Sequence, residues 1–203
     1  SVNRTWGNQT TVLVGDWLYM QSFYVALQER SFRILDILID LTQRMVEGEL
    51  IQLTLDGSLQ VSEQEVLNIA ERKTAYLFSG CAKIGGLLGK ISNEQELALG
   101  NYGLSIGLAF QMTDDILDLS SSERVLGKPV GSDLKEGKIT LPLVYALQVC
   151  SDSESKKIKT VLKEKEFRSI SPDEILSIVT KYQVLEKARH RAEQFARRAE
   201  AAL

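Results

Sequence analysis

Apolar residues recur three and four positions apart along almost all of this chain, and no stretch of useful length alternates as a strand would. That period puts side chains on one stripe of a helix, and the stripe must be buried against another helix. Three prolines in 203 residues leave long segments uninterrupted. The pattern predicts an all-α bundle, one domain over residues 1–203 with roughly six helices or more.

The elements read in order. A polar lead-in, Asn3 to Gln9, precedes a first helix marked by Val12, Trp17, Phe23, Tyr24 and Leu27. A second, long helix runs from Ser31 to Leu55 and stops at Asp56-Gly57-Ser58. Ser62 with Glu65 is a capping box that opens a third helix, continuing to about Leu88. Ser92 with Gln95 opens a fourth. Ser120 to Gly137 is expected as a loop, Ile139 to Val149 as a short helix with Pro142 in its first turn, and Ser151 to Ser155 as a polar break. A short exposed helix is expected from Lys156 to Glu166. A capping box at Ser171 to Glu174 then opens a final helix to Ala202, with a break near Tyr182.

Composition narrows the function. With 24 basic and 27 acidic residues, the chain lacks the basic excess of a general nucleic-acid binder. No apolar run approaches the ~18 residues that a spanning helix needs, and no signal peptide is expected. Cys81 and Cys150 share no metal-type spacing with each other or with His190, so structural zinc is not expected. Both are expected as small buried hydrophobes in a reduced, cytoplasmic chain. His190 belongs with the charges around it, from Lys181 to Glu200, to a solvated face of the last helix. The chain starts at Ser1 and still reads as helix at its last residues, so a longer parent polypeptide is expected.

One stretch demands a chemical explanation. Asp114, Asp115 and Asp118 follow directly on the apolar run Leu104 to Phe110 and on Gln111. On a helix, Asp114 and Asp118 lie one turn apart, about 6 Å along the axis, with Asp115 about 100° round. Like charges at this spacing repel, and a buried charge costs several kcal/mol unless paired or metal-bound. The alternative is a solvent-exposed helix end before a loop. Hard divalent ions favour oxygen ligands, and Mg²⁺ typically takes one or two carboxylates together with phosphate and water. Cationic candidates exist. Lys128 sits in a Gly-Lys-Pro turn ten residues after Asp118, and Lys138 lies further along the same connection. Lysines placed there can meet phosphate as point charges. Lys73, beside Thr74 inside the third helix, is either a snorkelling surface lysine or an inward charge partner for the carboxylates. Gly103, Gly107, Gln111, Asp114 or Asp115, and Asp118 fall on one stripe. The glycines either admit a neighbouring helix or line a cavity leading from the charged end, and the shared face favours the cavity.

Taken together, these segments resemble the trans-type (E-type) polyprenyl diphosphate synthases, all-α enzymes of the isoprenoid synthase fold. The likeness is carried by Leu13 to Leu18, Glu47-Gly48-Glu49, Lys73-Thr74-Ala75, Phe110 to Asp118, Gly127-Lys128-Pro129 and Asp133 to Pro142, in the family's order and over most of the chain. The wording is most similar to the medium- and long-chain branch, hexaprenyl- to decaprenyl-like. The resemblance implies condensation of isopentenyl diphosphate with an allylic diphosphate into a linear all-trans product. It implies Mg²⁺ on Asp114, with Asp115 and Asp118 as ligands or supports. Lys73, Thr74, Gln111 and Lys128 would contact the diphosphate, Lys138 more weakly, and Lys73, Lys128 and Gln111 would carry the catalysis. It also implies a homodimer through the first two helices, and a peripheral membrane contact for release of a lipid product.

The resemblance begins just downstream of the family's first aspartate motif and stops before its C-terminal segment. The fold is therefore expected to be incomplete at both ends, and this chain alone is expected to be inactive. A terpene cyclase of the same fold and a non-catalytic helical subunit are the alternatives. The loop lysines favour chain elongation over cyclisation. The retained carboxylates and lysines argue against a mere scaffold, whereas the missing first motif argues for one.

Overall fold

The computed structural model describes residues 2–58, 60–120 and 131–203, and among these every regular element is helical. Helix α1 (Val2–Gln28) packs on helix α2 (Phe32–Leu55), which packs in turn on the segments that follow. The helical conformation starts at Val2, not after a polar lead-in; Gly7, with φ at +80°, bends α1 and marks off the polar turn from the apolar body. Ser31 caps α2, and Gly57 turns the chain after it, as the sequence predicts.

Beyond the turn, Ser62 and Glu65 cap each other reciprocally and open α3 (Glu63–Ala70). The expected third helix is not one continuous α-helix. Residues Glu71–Ala75 form a π-helical segment, and α4 (Tyr76–Leu88) follows without a break in direction of chain. Periodicity alone does not reveal a widened turn, because one inserted residue shifts the apolar stripe without erasing it.

Helix α5 (Asn93–Ser120) is the spine; its most extensive neighbours are α4 and α10. Gly103 and Gly107 face α4. A Cβ at Gly103 would lie 2.6 Å from the Phe78 carbonyl oxygen, and one at Gly107 would lie 2.6 Å from the Ala75 Cα. The expectation of a glycine-lined cavity is therefore corrected: the glycines let two helix backbones approach.

The connection to the C-terminal half also departs from expectation. The stretch expected as loop contains a short helix, α6 (Ser132–Lys135). Helix α7 (Leu141–Val149) then starts two residues later than expected, with Pro142 in its first turn. Helix α8 (Asp152–Glu164) begins within the expected polar break, because Ser151 and Glu154 form another reciprocal capping box. Helices α9 (Pro172–Lys181) and α10 (Val184–Glu200) are separated at Tyr182, where a break is predicted.

The core joins this half to α3, the π segment and α5. Met112 and Leu119 of α5, Leu141 of α7, Ile158 of α8, Val179 of α9 and Ala188 of α10 are all buried in one cluster. A polar tie locks its edge: Tyr145 donates to Glu63 at 3.0 Å, and Arg191 pairs with the same carboxylate at 3.0 Å. This fixes the start of α3 against α7 and α10. By contrast α1 buries only Ala26 among its described side chains, while Trp6, Trp17, Tyr24 and Phe32 stand exposed at its surface or just beyond its end. Cys150 is half-buried, but Cys81 is exposed on α4, which corrects the expectation that both thiols are buried. His190 lies on an exposed face beside Glu193. Among the described residues no helix is long and apolar enough to cross a membrane.

Candidate functional site

A cavity of about 490 Å³ opens where α2, α3, the π segment, α5 and the α6–α7 connection converge. Its described walls hold five carboxylates, Asp56, Asp114, Asp115, Asp133 and Glu136, against two ammonium groups, Lys73 and Lys138. Apolar side chains such as Val66, Ile69 and Ile139 complete the lining. Such an excess of negative charge in a recess demands cationic company.

Lys73 and Thr74 reach the cavity because they lie on the π segment, where the turn is widened. Lys73 Nζ donates to Gln52 Oε1 at 2.6 Å and pairs with Glu49 at 3.0 Å. Its stem crosses α2 at Gly48, where a Cβ would lie 2.8 Å from both Arg72 Cβ and Lys73 Cγ. A side chain at position 48 would thus displace Lys73 from the cavity wall. The inward alternative for this lysine is the one the structure displays.

From Thr74 a polar chain runs across to α5. The Thr74 hydroxyl donates to Gln111 Oε1 at 2.7 Å, and Gln111 Nε2 donates to Asp115 Oδ1 at 2.9 Å. Asp115 is only 5% exposed. Burial pushes its carboxyl up to about 7; the Gln111 bond opposes this, while Asp133 and Asp114 add to it. Asp114 is half-buried and lines the same cavity.

Asp118 is placed differently. Its carboxylate accepts bonds from the Ser132 backbone, the Ser132 hydroxyl and the Asp133 backbone, and it does not line the cavity. Lys138 lines the cavity with its ammonium 2.5 Å from Glu136 and 3.7 Å from Asp133. Burial works against the charge of Lys138, but those carboxylates outweigh it and raise its pKa. Lys128 lies outside the described residues.

The donor set fits a hard divalent ion. Asp114 and Asp115 offer carboxylate oxygens into a recess that already carries surplus negative charge. Among the described residues no three metal-ligating side chains converge into a ready-made cage. An ion held by one or two carboxylates, with its other positions left to phosphate and water, is the arrangement typical of Mg²⁺.

Several wall residues escape a reading of the sequence by motif alone. Gln52, Asp56, Asp133 and Glu136 join the cavity through tertiary contact, and the pairing of Gly57 N with Gly137 O, at 3.1 Å, brings the α2 turn to the α6 segment. The clustering of acidic residues with Gly57 and Gly137 is the local signal that could have marked them.

Comparison with known proteins gives a consistent picture. The family model described as Polyprenyl synthetase matches residues 1–179. An octaprenyl diphosphate synthase of Haemophilus influenzae is 36% identical over 199 residues, covering 98% of this chain and 60% of that protein. The crystal structure of a decaprenyl diphosphate synthase from Rhodobacter capsulatus superposes with a TM-score of 0.90 at 32% identity, over 100% of this chain and 62% of that one. A polyprenyl synthase from Caulobacter crescentus CB15, solved with calcium and isoprenyl diphosphate, gives 0.94 at 32% identity, over 99% and 61%. The chain spans about 60% of the length of the relatives it matches.

Proposed function

The chain belongs to the polyprenyl synthetase family of trans-prenyltransferases and has its all-helical isoprenoid synthase fold, and from that premise we propose that the protein joins isopentenyl diphosphate to an allylic diphosphate, giving a linear all-trans polyprenyl diphosphate. The observation that carries this reading is the meeting of Lys73, Thr74, Gln111, Asp114 and Asp115 around one cavity with a polar mouth.

In this reading the allylic C–O bond breaks and its electron pair leaves with the diphosphate. The isopentenyl double bond then attacks the allylic cation, and the new tertiary cation loses a proton to the departed diphosphate. Asp114 and Asp115 would hold Mg²⁺, which would supply charge neutralisation for the leaving group. Lys73 and Lys138 act as point charges toward the diphosphate. Gln111, fixed by Thr74 on one side and Asp115 on the other, presents an amide of defined orientation beside it. Walls such as Val66 and Ile69 keep water from the cation. A diphosphate adds about three negative charges to walls on which five carboxylates already face two ammonium groups, more than one Mg²⁺ balances. The exposed apolar surface of α1 supports association of two copies.

The reading is tested by incorporation of labelled isopentenyl diphosphate in the presence of farnesyl diphosphate and Mg²⁺. Asp114→Asn is expected to lower turnover by on the order of 10²–10³ in protein that folds normally. Cyclic hydrocarbon as the product would overturn chain elongation in favour of cyclisation.

A further inference from the structure

The third carboxylate of the acidic helix end is the one feature that the proposed function leaves without a task. Asp118 is 2% exposed. Its Oδ1 accepts from Ser132 N at 3.2 Å and from Ser132 Oγ at 2.6 Å; its Oδ2 accepts from Asp133 N at 3.3 Å. Its backbone carbonyl accepts from Gly131 N at 2.9 Å. Both carboxylate oxygens therefore face the start of α6, fourteen or more residues ahead in the chain. A carboxylate that accepts this many donors in a buried place is a strong anchor, because each bond is charge-assisted and water cannot replace it.

The anchored segment carries a wall of the cavity. Ser132, Asp133 and Glu136 of α6 line it, as does Lys138 just beyond. The segment is held at its other end too, by fully buried Leu134 and by the bond between Gly57 N and Gly137 O. Asp118 thus grips the opposite wall at the start of α6, while Asp114 and Asp115, a turn earlier, line the space between.

We infer that Asp118 is a positioning residue and not a metal ligand: it fixes α6 so that Asp133 and Lys138 meet the substrate cavity. The inference rests on the proposed prenyl transfer only for its effect on turnover; the anchoring itself does not depend on it.

The test combines amide hydrogen exchange on metal-free protein with the Mg²⁺ dependence of prenyl transfer. Asp118→Asn keeps one acceptor but turns an N–H toward the Asp133 amide; Ser132→Ala removes the shortest bond and touches no carboxylate. Both variants are expected to speed exchange at Ser132 and Asp133 by about tenfold or more, the factor for one hydrogen bond to a charged group. Both are expected to lower kcat while the Mg²⁺ concentration for half-maximal rate stays within about twofold of wild type. The double variant is expected to be no worse than Asp118→Asn alone, since both act on one contact. Asp114→Asn is expected to do the reverse, raising the Mg²⁺ requirement without altering that exchange. A raised Mg²⁺ requirement in Asp118→Asn, with unchanged exchange over residues 131–138, would overturn the inference. So would silent behaviour of Ser132→Ala, the milder variant, which keeps the test valid if Asp118→Asn fails to fold. Exchange is read without substrate, so absence of prenyl transfer in the natural polypeptide that contains these residues would sink the proposed function and leave the anchor to be judged on exchange alone.

Discussion

Asp115 holds its proton in the folded chain up to about pH 7, whereas the ordinary carboxylate value is 3.8. Between those values the folded state binds more protons than the unfolded state, so the contribution of Asp115 to stability falls as pH rises through that window. In metal-free protein, Asp115→Asn is predicted to match wild type near pH 4 and to exceed it at pH 8 by roughly 1–3 kcal/mol in urea unfolding. Identical pH profiles for the two proteins would contradict the burial argument. Thr74 gives a second prediction. Thr74→Val keeps the shape but leaves Gln111 Oε1 without its donor, a loss of about 1–3 kcal/mol, and Thr74→Ser should recover most of it. At this scale the sequence was informative about which residue types gather and silent about direction. Asp114, Asp115 and Gln111 were legible from one helical projection. The turning of Asp118 toward Ser132 was not, because it depends on a return of the chain that no local spacing encodes.

Helices α4 and α5 approach through glycine, and that contact sets the distance between Lys73-Thr74 and the aspartates. Gly107→Ala would drive a methyl group to 2.6 Å from the Ala75 backbone, and Gly103→Ala to 2.6 Å from the Phe78 carbonyl. Each is predicted to destabilise by roughly 1–3 kcal/mol, read as a fall in Tm of about 2–4 °C per kcal/mol. Gly85→Ala, on α4 with open space around it, is the control and should be neutral or stabilising by about 0.5–1 kcal/mol. The helix starts at Ser62, Ser92 and Ser171 were readable because a cap is a local bargain between a hydroxyl and a carboxylate or amide three residues on. The same pattern at Ser151 and Glu154 was masked by the polar residues around it, which read equally well as a loop. The π segment was not legible, since Glu71 to Ala75 have ordinary helical composition and the widened turn is fixed by packing against Gly48 and α5.

Across the whole molecule the burial is lopsided. From α3 onward the chain carries one continuous core, while α1 leaves Trp6, Trp17 and Tyr24 each more than half exposed. An apolar face of this extent is a protein interface by default. Two copies are predicted to associate through α1 and α2, with sedimentation giving a dimer at micromolar concentration; a clean monomer would contradict this. The all-α architecture was legible from periodicity alone, and the single cavity wall built by five separate elements was not. The central claim concerns that cavity, and it is tested most directly on the natural polypeptide that contains these residues, supplied with labelled isopentenyl diphosphate, farnesyl diphosphate and Mg²⁺. The account predicts label in a linear polyprenyl diphosphate, lost with Mg²⁺ removal and reduced by on the order of 10²-fold or more in Asp114→Asn. Folded protein that incorporates no label, or that incorporates it equally well after Asp114→Asn, would contradict it.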